Sequence, residues 1–146
     1  MYDDKNARRG YVPEDRLQFM GVELQKLKEA AKDTLYLLNR GYSVKNATTF
    51  VGNHYMLSER QRLALARSIS PDIDVEKRKK KQDLCKEVYI DGFNTIITLE
   101  VALSHSLLMR CMDGTIRDLA GLRGTYRIIE QTQSAIHLLF KELENK

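Results

Sequence analysis

The stretch that decides the fold is Val88-Tyr89-Ile90-Asp91-Gly92-Phe93-Asn94, an apolar run that ends in an acid, a glycine and an amide. Val, Tyr and Ile favour a buried β-strand, whereas Asp-Gly-x-Asn favours a sharp turn. Open α/β sheets carry their chemistry at such strand ends. The sequence therefore predicts a strand over residues 86–90 that leads into a site at Asp91. An ordinary strand-to-helix turn is the alternative, because these are also the commonest turn residues.

Composition indicates a protein that is neither exported nor embedded in a membrane. The 146 residues carry a net charge of +4, and 42% of them are hydrophobic. No run reaches the roughly 20 apolar residues of a membrane span, and the charged N-terminus is unlike a signal peptide. Cys85 and Cys111 form no C-x-x-C pair, so a zinc site is not indicated. We expect a cytoplasmic location and a preference for anionic partners.

The first half is predicted to be helical behind a flexible tail. Residues 1–14 mix charge, glycine and proline without periodicity and are expected to form a flexible or loosely docked tail. Apolar residues recur every three or four positions from Leu17 to Leu38, which predicts one long helix that Gly41 ends. The stripe is either a core face or the seam of a homodimer.

Two shorter helices are predicted to complete a helical domain over residues 15–72. Ser43 is placed to cap the first helix, and Ser58 with Gln61 fits the capping box that starts the second. The pair resembles a helix-turn-helix unit. Its candidate nucleic-acid-binding residues are Arg60, Arg62 and Arg67. A helical cap with solvated arginines is the alternative reading.

A basic linker is predicted over residues 73–85. Lys77 to Lys81 are five consecutive cations, a pattern typical of a solvated linker or the polar face of a short helix. Phosphate contact by this run is the alternative. The run marks the predicted boundary between the helical domain and the second half.

The second half, residues 86–146, is predicted to contain two helices and a hairpin after the strand. The apolar segment Thr95–Leu103 predicts a buried helix capped by Asn94. Asp113-Gly114 lies between two β-prone runs and predicts a hairpin turn. Apolar residues at helical spacing from position 125 to about 144 predict a final amphipathic helix.

Three carboxylates of this half could converge on one crevice. They are Asp91, Glu100 and Asp118, the candidate catalytic residues. The candidate metal ligands are Asp91, Asn94 and Asp118, since oxygen clusters suit Mg²⁺ or Mn²⁺ at sites of phosphodiester cleavage. Arg117 and Arg123 are placed to hold a phosphate. Taken singly, the three acids also fit a turn former, a half-buried partner of an arginine, and a cap.

Longer stretches of both halves resemble a two-part prokaryotic family, the domain of unknown function 434 followed by the domain of unknown function 5616. In the first half the matching stretches are Leu37–Ser43, Val51–Leu57 and Arg60–Arg62. In the second half they are Ile90–Asn94, Ile97–Glu100 and Asp113–Gly121. The resemblance extends from about Leu35 to Glu142, and it implies no particular activity.

Asp91 and Asn94 also resemble, more weakly, the DGxN-like turn that ends the first strand of the PIN and NYN ribonucleases. This resemblance implies a metal-binding Asp91 and RNA as substrate, although the further strands and acids of those nucleases have no counterpart here. The predicted fold class is α/β with predominant helix, an N-terminal helical domain followed by a partial PIN-like α/β unit. The functional hypotheses are a metal-dependent ribonuclease-like protein, a non-catalytic nucleic-acid-binding or protein-interaction module, and a helical self-association protein.

Overall fold

The computed structural model describes residues 7–82, 87–122 and 124–145. The chain divides into two compact units, each built from separate stretches of sequence. The first unit comprises Pro13–Lys86 and Met109–Arg117. The second unit comprises Met1–Val12, Glu87–Leu108 and Asp118–Lys146.

Helices dominate the described residues, and the only sheet among them has two strands. The first unit contains α1 (Asp15–Gln18), α2 (Gly21–Asn39), α3 (Val44–His54), α4 (Glu59–Ser68) and α5 (Asp72–Lys80). The second unit contains α6 (Gly92–Leu103) and α7 (Glu130–Glu144). The antiparallel strands are β1 (Leu108–Arg110) and β2 (Ile116–Asp118). The prediction of predominant helix is confirmed, and a PIN-like α/β unit is not supported.

The central helix of the first unit is α2, which packs against α1, α3, α4 and α5. Its buried face consists of Leu27, Ala30, Thr34 and Leu38. The facing helices bury chiefly Ala47, Val51, Ala64 and Leu65. Complete burial of a leucine or valine stabilises a fold by about 1.5–3 kcal/mol, so this apolar contact accounts for the position of α2 at the centre of the unit.

The long helix predicted from Leu17 to Leu38 is interrupted. Gly21 has a φ of +56°, which glycine adopts at little cost, and the chain breaks there into α1 and α2. The break leaves Leu17 76% exposed while Phe19 is buried. At the other end, Gly41 follows α2 with a φ of +87°, so the predicted helix end is confirmed.

The predicted caps of α3 and α4 are confirmed. Ser43 Oγ accepts a hydrogen bond from the Asn46 N–H at 3.2 Å. Ser58 and Gln61 form the reciprocal capping box at the start of α4. The turn between these helices takes its positive φ, +50°, at Met56 and not at a glycine.

Gly52 has a packing role inside α3. An added Cβ at Gly52 would lie 2.6 Å from Nη1 of Arg62, a distance that real Cβ contacts do not reach. The Arg62 side chain lies across this gap and donates to the carbonyl of Leu57 at 2.9 Å and to Asn53 Oδ1 at 2.9 Å. The glycine therefore makes room for the arginine between the two helices.

The predicted strand over residues 86–90 is wrong for the residues that the structure describes. Val88, Tyr89 and Ile90 belong to no strand of the described sheet, and Tyr89 is 94% exposed. The residues favour a strand only where a neighbouring strand and a buried face receive them, and the described residues supply no such neighbour. Lys86 lies outside the described residues.

The remaining elements of the second half follow the sequence more closely. The hairpin around Asp113-Gly114 is confirmed, with the Cys111 N–H donating to the Thr115 carbonyl at 2.8 Å. The final helix begins at Glu130, five residues later than predicted. None of the helices in the described parts of the chain combines the length and the apolar character that a membrane crossing requires.

Candidate functional site

Asp91 acts as the N-cap of α6. Its carboxylate accepts hydrogen bonds from the backbone N–H of Asn94 at 3.4 Å and from the Asn94 side-chain amide at 2.6 Å. The predicted cap was Asn94, so this detail is corrected: the acid caps the helix and the amide supports it. The two predicted metal ligands thus bond to each other on an exposed helix end.

Glu100 lies at the centre of a buried hydrogen-bond network in the second unit. Its side chain is 0% exposed, and Oε2 forms an ion pair with Nε of Arg9 at 2.8 Å. Oε1 accepts from the hydroxyl of Tyr126 at 2.7 Å and from the hydroxyl of Thr132. The arginine also donates to the carbonyl of Arg127, so both charges of the pair are compensated inside the protein.

This network connects three parts of the second unit. Arg9 comes from the amino-terminal segment, Glu100 from α6, and Thr132 from the first turn of α7. Residues 7–12 of the predicted flexible tail are therefore a docked segment, and the Arg9 N–H adds a bond to Ser104 Oγ at 3.0 Å. Burial and the adjacent negative charge of Glu100 raise the pKa of Tyr126, which keeps its hydroxyl protonated as a donor.

Asp118 holds the chain after β2. One carboxylate oxygen accepts from the hydroxyl of Thr98 at 2.7 Å, and the other accepts from the backbone N–H of Ala120 at 2.9 Å. Its side chain is buried. These bonds join the end of the hairpin to α6, which is the role of a structural acid.

The acids do not form a metal centre in the part of the chain that the structure describes. Within it, no group of three or more His, Cys, Asp or Glu side chains is arranged to hold a metal ion. Glu100 has no free oxygen, since Arg9, Tyr126 and Thr132 occupy both. The predicted metal ligands are also engaged within the protein, since Asp91 and Asn94 bond to each other and Asp118 accepts from Thr98 and Ala120. A catalytic role for these residues stays a prediction.

Arg60 and Arg62, two of the predicted phosphate-binding arginines, are engaged in contacts around α4. Arg60 forms an ion pair with Asp15 at 2.5 Å, with both side chains largely buried. Arg62 donates to backbone and side-chain oxygens beside Gly52. Both are committed to the packing of α4. Of the other three, Arg67 lies half-buried at the end of α4, Arg117 is exposed on β2, and Arg123 falls outside the described residues.

Within the described ranges, a concentration of exposed positive charge lies elsewhere, at the end of α5. We call residues 77–81 the α5 basic run, and all five of its cations are exposed. The last turn of a helix favours cations, because unpaired carbonyl groups there carry partial negative charge. Among the described residues, Arg78 pairs with Asp113 at 3.1 Å, while no ion pair involves Lys77 or Lys79–Lys81. The run therefore presents net positive charge to solvent.

The hairpin turn fixes the α5 basic run in place within the first unit. Asp113 is almost fully buried and accepts from the N–H and hydroxyl of Thr115 at 3.0 and 2.6 Å. These bonds, with the Arg78 guanidinium, hold the pKa of Asp113 below its usual value. Gln82 adds a bond to the Asp113 carbonyl at 3.4 Å. Asp113 is a turn residue, as the sequence indicates, and also an anchor for α5.

Arg117 on β2 adds a further exposed cation to the hairpin. Burial raises the pKa of the Cys111 thiol, and the nearby Arg117 guanidinium acts in the opposite direction. The thiol donates to the carbonyl of Arg67 at 3.6 Å, which places the hairpin beside the end of α4. Arg117, the α5 basic run and the end of α4 therefore belong to one region around the hairpin.

From the sequence, the α5 basic run is interpreted as a linker, and nucleic-acid contact is assigned to the arginines of α4. The sequence feature that could have identified it as a binding surface is the run of five consecutive cations. Helical periodicity could not identify it, because Val75 is the only buried residue of α5. The ion pair between Arg78 and Asp113 joins residues 35 positions apart, and no local pattern reveals such a contact.

Comparison with known proteins identifies the family. Residues 26–81 match a family described as "Protein of unknown function (DUF434)", and residues 81–146 match "Domain of unknown function (DUF5616)". The chain belongs to the two-part family formed by these domains. Similarity to PIN nucleases is not shown.

A relative in Methanocaldococcus jannaschii, described as an uncharacterised protein, is 36% identical over 124 residues. The match covers 82% of this chain and 60% of the relative, so the chain spans less than two thirds of the length of this relative. No solved structure matches the chain.

Proposed function

We propose that this chain is a non-catalytic nucleic-acid-binding module that holds RNA through its phosphates. The observation that carries the proposal is the α5 basic run, with four lysines that no described acid neutralises. Lysine contacts with phosphate supply affinity without reading sequence. Arg117 lies on the hairpin that anchors α5. Its guanidinium can donate two parallel hydrogen bonds to one phosphate.

The buried acids support a binding function over a catalytic one. Glu100 and Asp118 are engaged in bonds that hold the second unit together. The metal-dependent ribonuclease hypothesis, with Mg²⁺ or Mn²⁺ at Asp91, has less support for that reason. A cytoplasmic location and a monomer or homodimer are compatible with the proposal.

The test is fluorescence anisotropy with a labelled single-stranded RNA of about 20 nucleotides over a series of salt concentrations. Each phosphate contact contributes about 0.7 to the slope of log K against log salt for single strands. We expect Lys79→Ala/Lys80→Ala to weaken binding and to reduce the slope by about 1.4.

The matched control is Lys28→Ala/Lys45→Ala, which removes the same charge from exposed positions on α2 and α3. We expect this control to retain the slope of the unmodified protein. Equal losses in the two double variants would show that only net charge matters, and no measurable binding by the unmodified protein would reject the proposal outright.

A separate arm tests the ribonuclease alternative. The same RNA is incubated with the protein and Mn²⁺, and its length is followed on a denaturing gel. We expect the RNA to stay intact. Cleavage that Asp91→Asn abolishes would replace the binding proposal with the nuclease hypothesis.

A further inference from the structure

A cleft between α2 and α3 of the first unit has an aromatic lining that the proposed function does not use. The cleft has a volume of about 240 Å³ and is open to solvent. Its aromatic residues are Tyr36, Phe50, His54 and Tyr55. The buried side chain of Val51 contributes to the lining.

Two of the aromatic side chains in this cleft are largely exposed to solvent. Phe50 is 72% exposed and Tyr36 is 56% exposed. His54 and Tyr55 meet edge to face, with ring centroids 4.9 Å apart. Each ring has an electron-rich face, so the lining offers several sites of weak attraction for positive charge.

One carboxylate lies among these rings. Asp33 lines the cleft and accepts a hydrogen bond from the Tyr55 hydroxyl at 2.8 Å. That bond, with the further negative charge of Glu29, raises the pKa of Tyr55. A carboxylate has about four acceptor positions, so Asp33 retains capacity for a second partner.

A cation already lies on one of these rings. The Arg40 guanidinium lies 3.4 Å from the centroid of the Tyr36 ring. The chain uses the same contact elsewhere, with Arg8 over the ring of Tyr11 at 3.7 Å. The Arg40 guanidinium covers one face of the Tyr36 ring, so the opposite face is the one open to a further cation.

We propose that this cleft binds an organic ammonium group, with the rings of Tyr36, Phe50 and Tyr55 around the cation and the Asp33 carboxylate as its counter-charge. Aromatic rings with a nearby acid are the lining that recognises alkylated ammonium ions. Pockets for drug-sized ligands have about 300–1,000 Å³, so this smaller cleft suits one head group better than a whole nucleotide.

The test compares choline with its neutral carbon isostere, 3,3-dimethyl-1-butanol, which has the same shape without the charge. Binding is followed by NMR from the ring resonances of Tyr36, Phe50 and Tyr55. We expect choline to shift these resonances and to bind about fivefold more tightly than the isostere. Equal affinities for choline and the isostere would overturn the proposal. So would the absence of any shift in these resonances at the highest choline concentration that the protein tolerates.

Two variants locate the site without disturbing the core. Asp33→Asn should weaken choline about fivefold and leave the isostere unchanged, because the substitution removes charge and keeps a hydrogen-bonding oxygen. Phe50→Leu should weaken choline as well. The controls are Glu59→Gln, which removes an exposed acid from α4, and Tyr42→Leu, an exposed ring outside the cleft. A loss of choline binding in these controls would contradict the assignment.

Peptides carrying lysine or trimethyllysine distinguish the source of the ammonium group. Tighter binding of the trimethyllysine peptide than of choline assigns the group to a protein partner, and the reverse order assigns it to a free cation. Failure of all these ligands while RNA binding persists would reject the cleft proposal alone.

Discussion

Glu100 shows how one acidic residue supports more than one interpretation of a sequence. An acid in an almost wholly apolar helix suggests chemistry, because burying an uncompensated charge is costly. Here the cost is offset by Arg9, which lies 91 positions away in the sequence. Sequence reasoning included an arginine partner among its alternatives, but no local pattern could identify which arginine or bring the amino-terminal segment to α6.

Replacing Glu100 with glutamine should destabilise the second unit. The change keeps the shape and leaves the buried guanidinium of Arg9 without a counter-charge, a loss of about 3–5 kcal/mol for a buried pair. Urea unfolding monitored by circular dichroism measures this loss in the free energy of unfolding. Glu142→Gln, an exposed position on α7, should change stability by less than about 0.5 kcal/mol. Similar midpoints for both variants would contradict a structural role for the pair.

Asp113 should make the stability of the first unit depend on pH. The pKa of the Asp113 carboxyl is lower in the folded state than in the unfolded state. The carboxylate therefore stabilises the first unit at pH values above the unfolded pKa of 3.8. This stabilisation is lost as the pH falls through the pKa of the folded state. Asp113→Asn should cost about 1.5–3 kcal/mol at pH 7. The difference from the unmodified protein should shrink below pH 4 or so. Thermal unfolding at pH 7, 5 and 3 measures it, and a constant difference would contradict this linkage.

At the scale of elements, the caps of α3 and α4 and the end of α2 could be predicted, whereas the lack of a strand at residues 88–90 could not. Ser58 with Gln61, and Gly41, form local hydrogen bonds within a few residues, so their sequence pattern contains all the required information. A strand depends on a neighbour elsewhere in the chain. Val88–Ile90 has the composition of a strand, yet its exposure shows that composition alone does not create the pairing.

Asp91 should behave as a helix cap. Asp91→Ala removes the acceptor for the Asn94 N–H and should destabilise α6 by about 1 kcal/mol. Asp91→Asn, which retains an acceptor oxygen, should cost only a few tenths of that. The measurement is the free energy of unfolding, with and without Mn²⁺. A large stabilisation by Mn²⁺ that Asp91→Asn removes would point instead to a metal ligand.

At the scale of the whole molecule, the fold joins residues that are far apart in the sequence. The hairpin residues Met109–Arg117 group with the first unit, while the amino-terminal residues up to Val12 group with the second. Composition along the sequence can only divide a chain into consecutive segments. Such discontinuous units depend on long-range contacts, so the sequence predicted most helices but not the way the segments combine.

The exposed Val88–Ile90 segment should limit the solubility of the whole chain. Exposed apolar residues of β-prone composition promote association between copies. Tyr89→Lys should raise the concentration at which the protein aggregates and leave its melting temperature unchanged, because Tyr89 is 94% exposed. Light scattering during concentration measures the first effect. Tyr42→Lys, an exposed tyrosine before α3, is the control and should have a smaller effect.

The contact between Gly52 and Arg62 has a consequence for evolution. Because a Cβ at position 52 would overlap the arginine, a larger residue there requires the Arg62 side chain to move away or to be shorter. The two positions should therefore change together among relatives that keep the α3–α4 pair. Shortening the side chain at position 62 first makes room for a larger residue at position 52, whereas enlarging position 52 first meets the arginine, so the order in which the substitutions arise is constrained.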